Sequence, residues 1–223
     1  MSKAFIKEIF SSIQGEGLYV GEKQLFVRFC GCNLNCAFCD TDFSYGGAVE
    51  YSCDDLLKKI LEYDPQTVSL TGGEPLLYSD FLTEFLPELR NVEPKRKIYL
   101  ETNGTLYAEL PKIIDFVDVV AMDVKLESAT GGFVCYGNNE KFLVAATNSM
   151  ARVFVKVIFD ENLRDDEIEE VLQLVSKFGV TLVLQPKMPL DEDLELEEIF
   201  YKFSALYPNV RLIPQLHKFL GVR

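Results

Sequence analysis

The chain has 223 residues, enough for one domain that buries roughly 70% of its unfolded surface, and its 48% hydrophobic and 26% charged residues argue against disorder. It carries 22 Lys and Arg against 35 Asp and Glu, a net charge of −13 that repels phosphate backbones and anionic lipid, so neither nucleic acid nor a membrane is expected as a partner. The apolar runs are strand-sized and residues 1–10 hold no apolar signal core, so the expected compartment is the reducing cytoplasm.

Read in order, the chain alternates between strand and helix periods. Residues 5–10 and 24–29 read as strands; Ser52 reads as the cap of a helix with Asp54 and Asp55 in its first turn and Leu56, Leu57, Ile60 and Leu61 along its apolar face. A strand at 67–71 follows, then a helix opening at Ser79 or Asp80 in which Pro87 is expected to cause a kink or an early stop. Next come a strand at 97–101, a short helix near 109–115, a strand at 117–122, a Gly-bearing loop at 127–138 and a short helix near 140–147. The strand at 152–159 leads to Asp165, read as the cap of an amphipathic helix over 166–178 that Gly179 ends. A strand at 180–184, a helix at 192–206 and a strand at 209–213 complete the pattern. Several of these strands are apolar throughout, as parallel strands covered on both faces are. The expected fold class is therefore α/β, a partial (incomplete) parallel (β/α) barrel forming one unit over residues 1–223.

Cys32, Cys36 and Cys39 form a C-x3-C-x2-C triplet, a spacing that lets three thiolates converge and leaves a coordination position open. A structural zinc closes four protein ligands around itself and would need Cys30 or the lone His217 as the fourth. A 4Fe-4S cluster held by three cysteines keeps one iron for a substrate or cofactor. Spacing alone leaves both readings open. A disulfide framework needs an oxidising compartment, and Cys53 and Cys135, far from the triplet, read as part-buried thiols.

Polar residues recur after the predicted strands. Gln14 and Glu16 follow the first, the triplet the second, TGGEP (71–75) the third and ETNGT (101–105) the fourth. Asp123 and Lys125 follow the fifth, Gln185 follows the strand at 180–184, and Gln215 and His217 follow the last. All are thus expected at the carboxyl edge of the sheet, where parallel α/β folds bind ligands. The Gly72-Gly73-Glu74-Pro75 turn exposes backbone groups beside a carboxylate and can hold an ammonium and a carboxylate together, although an ordinary strand-to-helix turn uses the same residues. Arg28 interrupts an apolar strand and needs a partner, either a substrate carboxylate or a structural ion pair. Glu16 can accept from the amino and imino N–H groups of a heterocycle, Thr41 can lend a hydroxyl to a hard cation, and His217 suits a ligand site or a packed core equally.

Taken together, QGEG (14–17), FVRFCGCNLNCAFCDT (26–41), TGGEP (71–75), ETNGT (101–105) and PQLHKFLG (214–221) resemble the 7-carboxy-7-deazaguanine synthase family of the radical S-adenosylmethionine (radical SAM) superfamily. The triplet and the GGEP turn carry the superfamily resemblance; the other motifs make it specific. The resemblance implies a cytoplasmic, homodimeric lyase on the path to queuosine and related deazapurines. Its substrate would be 6-carboxy-5,6,7,8-tetrahydropterin, converted to 7-carboxy-7-deazaguanine with loss of ammonia, and its electrons would come from a flavodoxin- or ferredoxin-like donor. It further implies a 4Fe-4S cluster on Cys32, Cys36 and Cys39, and S-adenosyl-L-methionine against Phe38, Gly72, Gly73, Glu74, Thr102, Asn103 and Gln185. The pterin would be held by Gln14, Glu16, Arg28 and His217, with Mg2+ on Thr41, an N-terminal substrate-binding strand and a C-terminal capping segment. No side chain is expected to break bonds, because the cofactor carries that chemistry. The chain departs from the family's frequent Ser-Pro-Lys at Asp123-Val124-Lys125, which receive no role, and adds Cys30, which reads as a packed thiol. Two other readings stand beside this one: an activating enzyme for glycyl-radical proteins, which shares the triplet, and a zinc-stabilised interaction module.

Overall fold

Nine strands join in one sheet in a computed structural model that describes residues 2–37, 39, 41–64, 66–132, 135–192 and 194–222. They are β1 (Ala4–Ile13), β2 (Lys23–Phe29), β3 (Val49–Tyr51), β4 (Thr67–Gly72), β5 (Lys97–Thr102), β6 (Val119–Val124), β7 (Arg152–Phe159), β8 (Thr181–Pro186) and β9 (Val210–Leu212), in the order β3-β1-β2-β4-β5-β6-β7-β8-β9. From β2 to β9 every neighbouring pair is parallel. The end strands β3 and β9 do not pair, so the sheet stays open and the partial barrel is borne out.

The N-terminus corrects the expected topology. β1 runs antiparallel to both β2 and β3, and its last residue, Ile13, pairs with Lys23 at the start of β2. Gln14 and Glu16 therefore leave the amino edge of the parallel sheet, not its carboxyl edge. The short strand β3 was absent from the expected pattern because three residues are too few for a period to show.

Side chains alternate across each strand, and this divides the sheet into two environments. Val27, Leu70, Leu100, Val120, Val155 and Leu182 face outward into the main core with Leu82, Phe85, Phe142, Leu143, Val171 and Val175 from the covering helices. Tyr99, Val119, Ala121, Phe154 and Val183 face the hollow and form a second, smaller cluster with Tyr19 and Ile213. Tyr19, from the segment after β1, meets Tyr99 edge-on at 5.5 Å, so that segment turns back and fills the floor of the barrel.

The helices are α1 (Cys53–Leu61), α2 (Ser79–Val92), α3 (Glu127–Thr130), α4 (Tyr136–Thr147), α5 (Asp165–Phe178), α6 (Leu196–Leu206) and α7 (Leu216–Leu220). Ser52 caps α1 as expected, its Oγ accepting from the Asp55 N–H at 3.2 Å. α2 runs through Pro87: Phe81, Leu82, Phe85, Leu86 and Leu89 are all buried, and burial at ~1.5–3 kcal/mol each outweighs a proline cost of ~3 kcal/mol. Other boundaries differ. The helix expected near 109–115 is two 3-10 turns, Leu110–Lys112 and Ile114–Phe116, and α6 starts at Leu196, later than expected. The loop expected at 127–138 holds the single turn α3 and the first residues of α4. Asp165 is the first residue of α5 and not its cap; the Glu167 carboxylate accepts from the Arg164 N–H at 3.1 Å. Gly179 ends α5 with φ of 65°. Among the described residues no helix is long and apolar enough to cross a membrane.

Candidate active site

The described residues between β2 and β3 form a loop over the carboxyl edge of the sheet, and Cys32, Cys36 and Cys39 from this loop line one cavity of about 310 Å³. The loop is pinned on both sides: the Ala37 N–H donates to Thr130 O at 3.2 Å, and Asn33 Nδ2 donates to Thr105 Oγ1 at 2.7 Å. Burial pushes the Cys32 and Cys36 thiols up, so they would bind as thiolates against the positive charge of a metal. Cys30 is fully buried with Sγ 3.5 Å from Ser44 O and is not part of the cavity wall. His217 lies over Gly15 on the wall of the same cavity. Among the described residues no three His, Cys, Asp or Glu side chains converge on a single metal ion. The donor set on this wall is three thiols, the set that iron-sulfur clusters take, and in this respect it fits a 4Fe-4S cluster. Phe38 lies outside the described residues.

The turn after β4 is sewn to the cysteine loop by backbone. Gly73 N–H donates to Phe29 O at 3.1 Å and Glu74 N–H to Gly31 O at 2.9 Å, and Gly72, Gly73, Thr102 and Asn103 line the cavity. The Glu74 side chain turns the other way. It is fully buried outside the cavity wall, accepting from Leu76 N–H at 3.1 Å, Thr102 Oγ1 at 2.9 Å and Asn103 N–H at 2.8 Å. Burial raises its pKa to about 7 against the lowering effect of these donors.

The hollow of the barrel supplies the other end of the cavity, through the inward residues Phe26, Arg28, Thr71, Tyr99, Glu101, Asp123 and Lys156. Arg28 faces Glu8 in register across β1 and β2, and its Nε donates to Glu8 Oε1 at 2.8 Å, while its Nη1 lies 3.5 Å from Thr41 Oγ1. Both Arg28 and Thr41 line the cavity. Gln14 and Glu16 reach it from below on the turned-back segment. Gln14 Nε2 donates to Glu101 Oε1 at 2.9 Å, and Thr71 Oγ1 donates to the other oxygen of Glu101 at 2.8 Å. Glu16 is ion-paired to Lys156 and accepts from Gln215 Nε2 at 2.7 Å. Its burial favours the neutral acid, but the Lys156 ammonium and the Gln215 amide prevail and hold it at about 2. Leu216 N–H donates to Gly15 O at 2.8 Å, which seats α7 on the QGEG turn and brings Gln215, His217 and Lys218 into the wall. Gln185 is fully buried outside the wall, and its side chain lies against Glu16 and adds to holding that carboxylate ionised.

Glu101, Asp123, Lys125 and Lys156 line the wall without a role from the sequence. For Lys156 a signal existed, since RVFVKVIF places a lone lysine in an apolar strand as QLFVRF places Arg28.

Residues 26–134 match the Radical SAM superfamily. A 7-carboxy-7-deazaguanine synthase of Geobacter sulfurreducens is 34% identical, over 99% of this chain and 99% of its own length. The chain belongs to the 7-carboxy-7-deazaguanine synthase family. Synthases of the same name from Methanothermobacter thermautotrophicus and Archaeoglobus fulgidus are 33% and 34% identical over 100% and 99% of the chain, so the family match runs from end to end. The fold is likewise that of QueE from Escherichia coli, with a TM-score of 0.67 at 23% identity over 96% of this chain and 95% of that one. A structure of TYW1 has a TM-score of 0.63 at 18% identity, covering 84% of this chain and 74% of that one, and shares the fold.

Proposed function

We propose that this chain converts 6-carboxy-5,6,7,8-tetrahydropterin to 7-carboxy-7-deazaguanine and ammonia. The observation that carries the reading is one cavity that joins the cysteine triplet at its mouth to Gln14, Glu16, Arg28 and His217 in its depth. Cys32, Cys36 and Cys39 would hold a 4Fe-4S cluster, and Gly72, Gly73, Thr102 and Asn103 would receive S-adenosylmethionine beside it. Together these groups supply one-electron hydrogen-abstraction chemistry when bound.

The residues of the chain bind and orient. Glu16, ionised and acceptor-only, suits the N–H donors of an aminopyrimidinone ring. Arg28, held by Glu8, suits the substrate carboxylate, and Thr41 beside it offers a hydroxyl to Mg2+. His217 and α7 close the depth of the cavity against water, so residues 1–223 act as one core with an N-terminal binding strand and a C-terminal cap. Glu74 contributes by fixing the turn onto Thr102 and Asn103; Gln185 contributes by packing beside Glu16. The working form is a cytoplasmic homodimer served by a flavodoxin- or ferredoxin-like donor.

Expression in a bacterium lacking its own carboxydeazaguanine synthase tests the reading. Queuosine should return to tRNA with the wild-type chain and not with Cys36→Ala. Unmodified tRNA in the presence of folded wild-type protein would overturn it.

A further inference from the structure

Lys156 occupies the middle of β7 with a side chain only 10% exposed, and its ammonium sits between two carboxylates. It is ion-paired to Glu16 Oε2 and lies 3.6 Å from Asp123 Oδ2, which in turn accepts from Lys125 Nζ at 2.8 Å. Alternating charges thus run from the floor of the cavity toward its mouth. Each oxygen of Glu16 holds one donor, Lys156 on Oε2 and Gln215 on Oε1. A carboxylate offers about four lone-pair positions, so each oxygen retains capacity for one more. Two parallel N–H donors match that remaining pair.

We propose that Lys156 is a positioning and specificity-determining residue: by anchoring Oε2 opposite Gln215, it aims the Glu16 carboxylate at substrates with a ring N–H beside an amino N–H. This rests on the pterin reading above. A pterin carries that donor pair, and a lumazine, with a carbonyl in place of the 2-amino group, does not. Without the Lys156 ammonium, Glu16 would be a buried carboxylate facing only the neutral amides of Gln215 and Gln185, and burial would favour its protonated form, which presents a donor where the ring needs an acceptor.

The test is calorimetric binding of 6-carboxypterin and 6-carboxylumazine to the cluster-free full chain, with folding of each variant checked by thermal melting. The wild type should prefer the pterin. Lys156→Met should weaken pterin binding by roughly 30-fold or more and collapse the pterin-to-lumazine ratio toward one, while Lys156→Arg restores most of both. Lys156→Gln replaces Lys156→Met if the latter does not fold. Because Lys156 acts through Glu16, the double variant Glu16→Gln/Lys156→Met should bind no more than about threefold more weakly than Glu16→Gln alone. An unchanged ratio, or additive losses in the double variant, would overturn the inference and leave the substrate reading intact. Failure of the wild type to bind 6-carboxypterin would overturn both.

Discussion

Gly73 lies against the main chain of Gly31: a Cβ placed on Gly73 would stand 1.8 Å from the Gly31 oxygen and 3.1 Å from the Cys32 Cβ. The obstacle is backbone, which cannot rotate away, and Glu74 N–H already binds that same oxygen. A side chain at 73 therefore has to push the cysteine loop off the β4 turn. Gly73→Ala should lose most of its iron and sulfide after anaerobic reconstitution while the sheet keeps its fold. Full iron loading in a folded Gly73→Ala protein would show that the close approach does not position the triplet.

Glu74 gives a pH signature. Its carboxyl is raised by burial from 4.5 to about 7, so between these values the folded chain keeps a proton that the unfolded chain has released. Its contribution to stability is therefore complete below about pH 4.5 and declines as pH rises through 7, by on the order of 3 kcal/mol. The stability difference between the cluster-free wild type and Glu74→Gln should change across that interval. Parallel pH profiles for the two proteins would contradict the assignment.

At the other end of the cavity, Gly15 leaves room for His217. A Cβ on Gly15 would stand 2.1 Å from His217 Nδ1, and here the obstacle is a side chain on the short helix α7. Gly15→Ala should displace the imidazole and raise the KM for the pterin about as much as His217→Ala does, with unchanged iron content. Wild-type KM in Gly15→Ala would separate the two residues.

Arg28 and Glu8 are a partly exposed pair, with side chains 22% and 28% accessible, so their mutual attraction contributes little to stability. Glu8 instead orients the Arg28 guanidinium through its bond to Nε. Arg28→Ala should raise the pterin KM by roughly tenfold or more, and Glu8→Gln in the same direction by a few-fold, both with intact clusters. Equal KM values across all three proteins would remove Arg28 from substrate binding.

Much of this was legible in the sequence because it is written in local patterns. The parallel strands announce themselves as apolar runs, Ser52 and Gly179 as helix ends, and the cysteines and GGEP by spacing. The direction of β1 was not legible, since an alternating strand reads alike in a parallel or antiparallel pair. Nor was the fate of the Glu74 side chain, whose acceptor role toward Asn103 depends on a neighbour 29 residues on. The pairing of Glu16 with Lys156, 140 residues apart, follows from the turned-back floor segment and from nothing near either residue.

The central claim is that one cavity brings a cysteine-held cluster and a pterin together for ring contraction. The most direct measurement is anaerobic reconstitution with iron and sulfide, then incubation with dithionite, S-adenosylmethionine, Mg2+ and 6-carboxytetrahydropterin, with products followed by mass spectrometry. The account predicts 7-carboxy-7-deazaguanine and ammonia in equal amounts, and none from Cys36→Ala. A protein that assembles its cluster and cleaves S-adenosylmethionine yet leaves the pterin unchanged would contradict it.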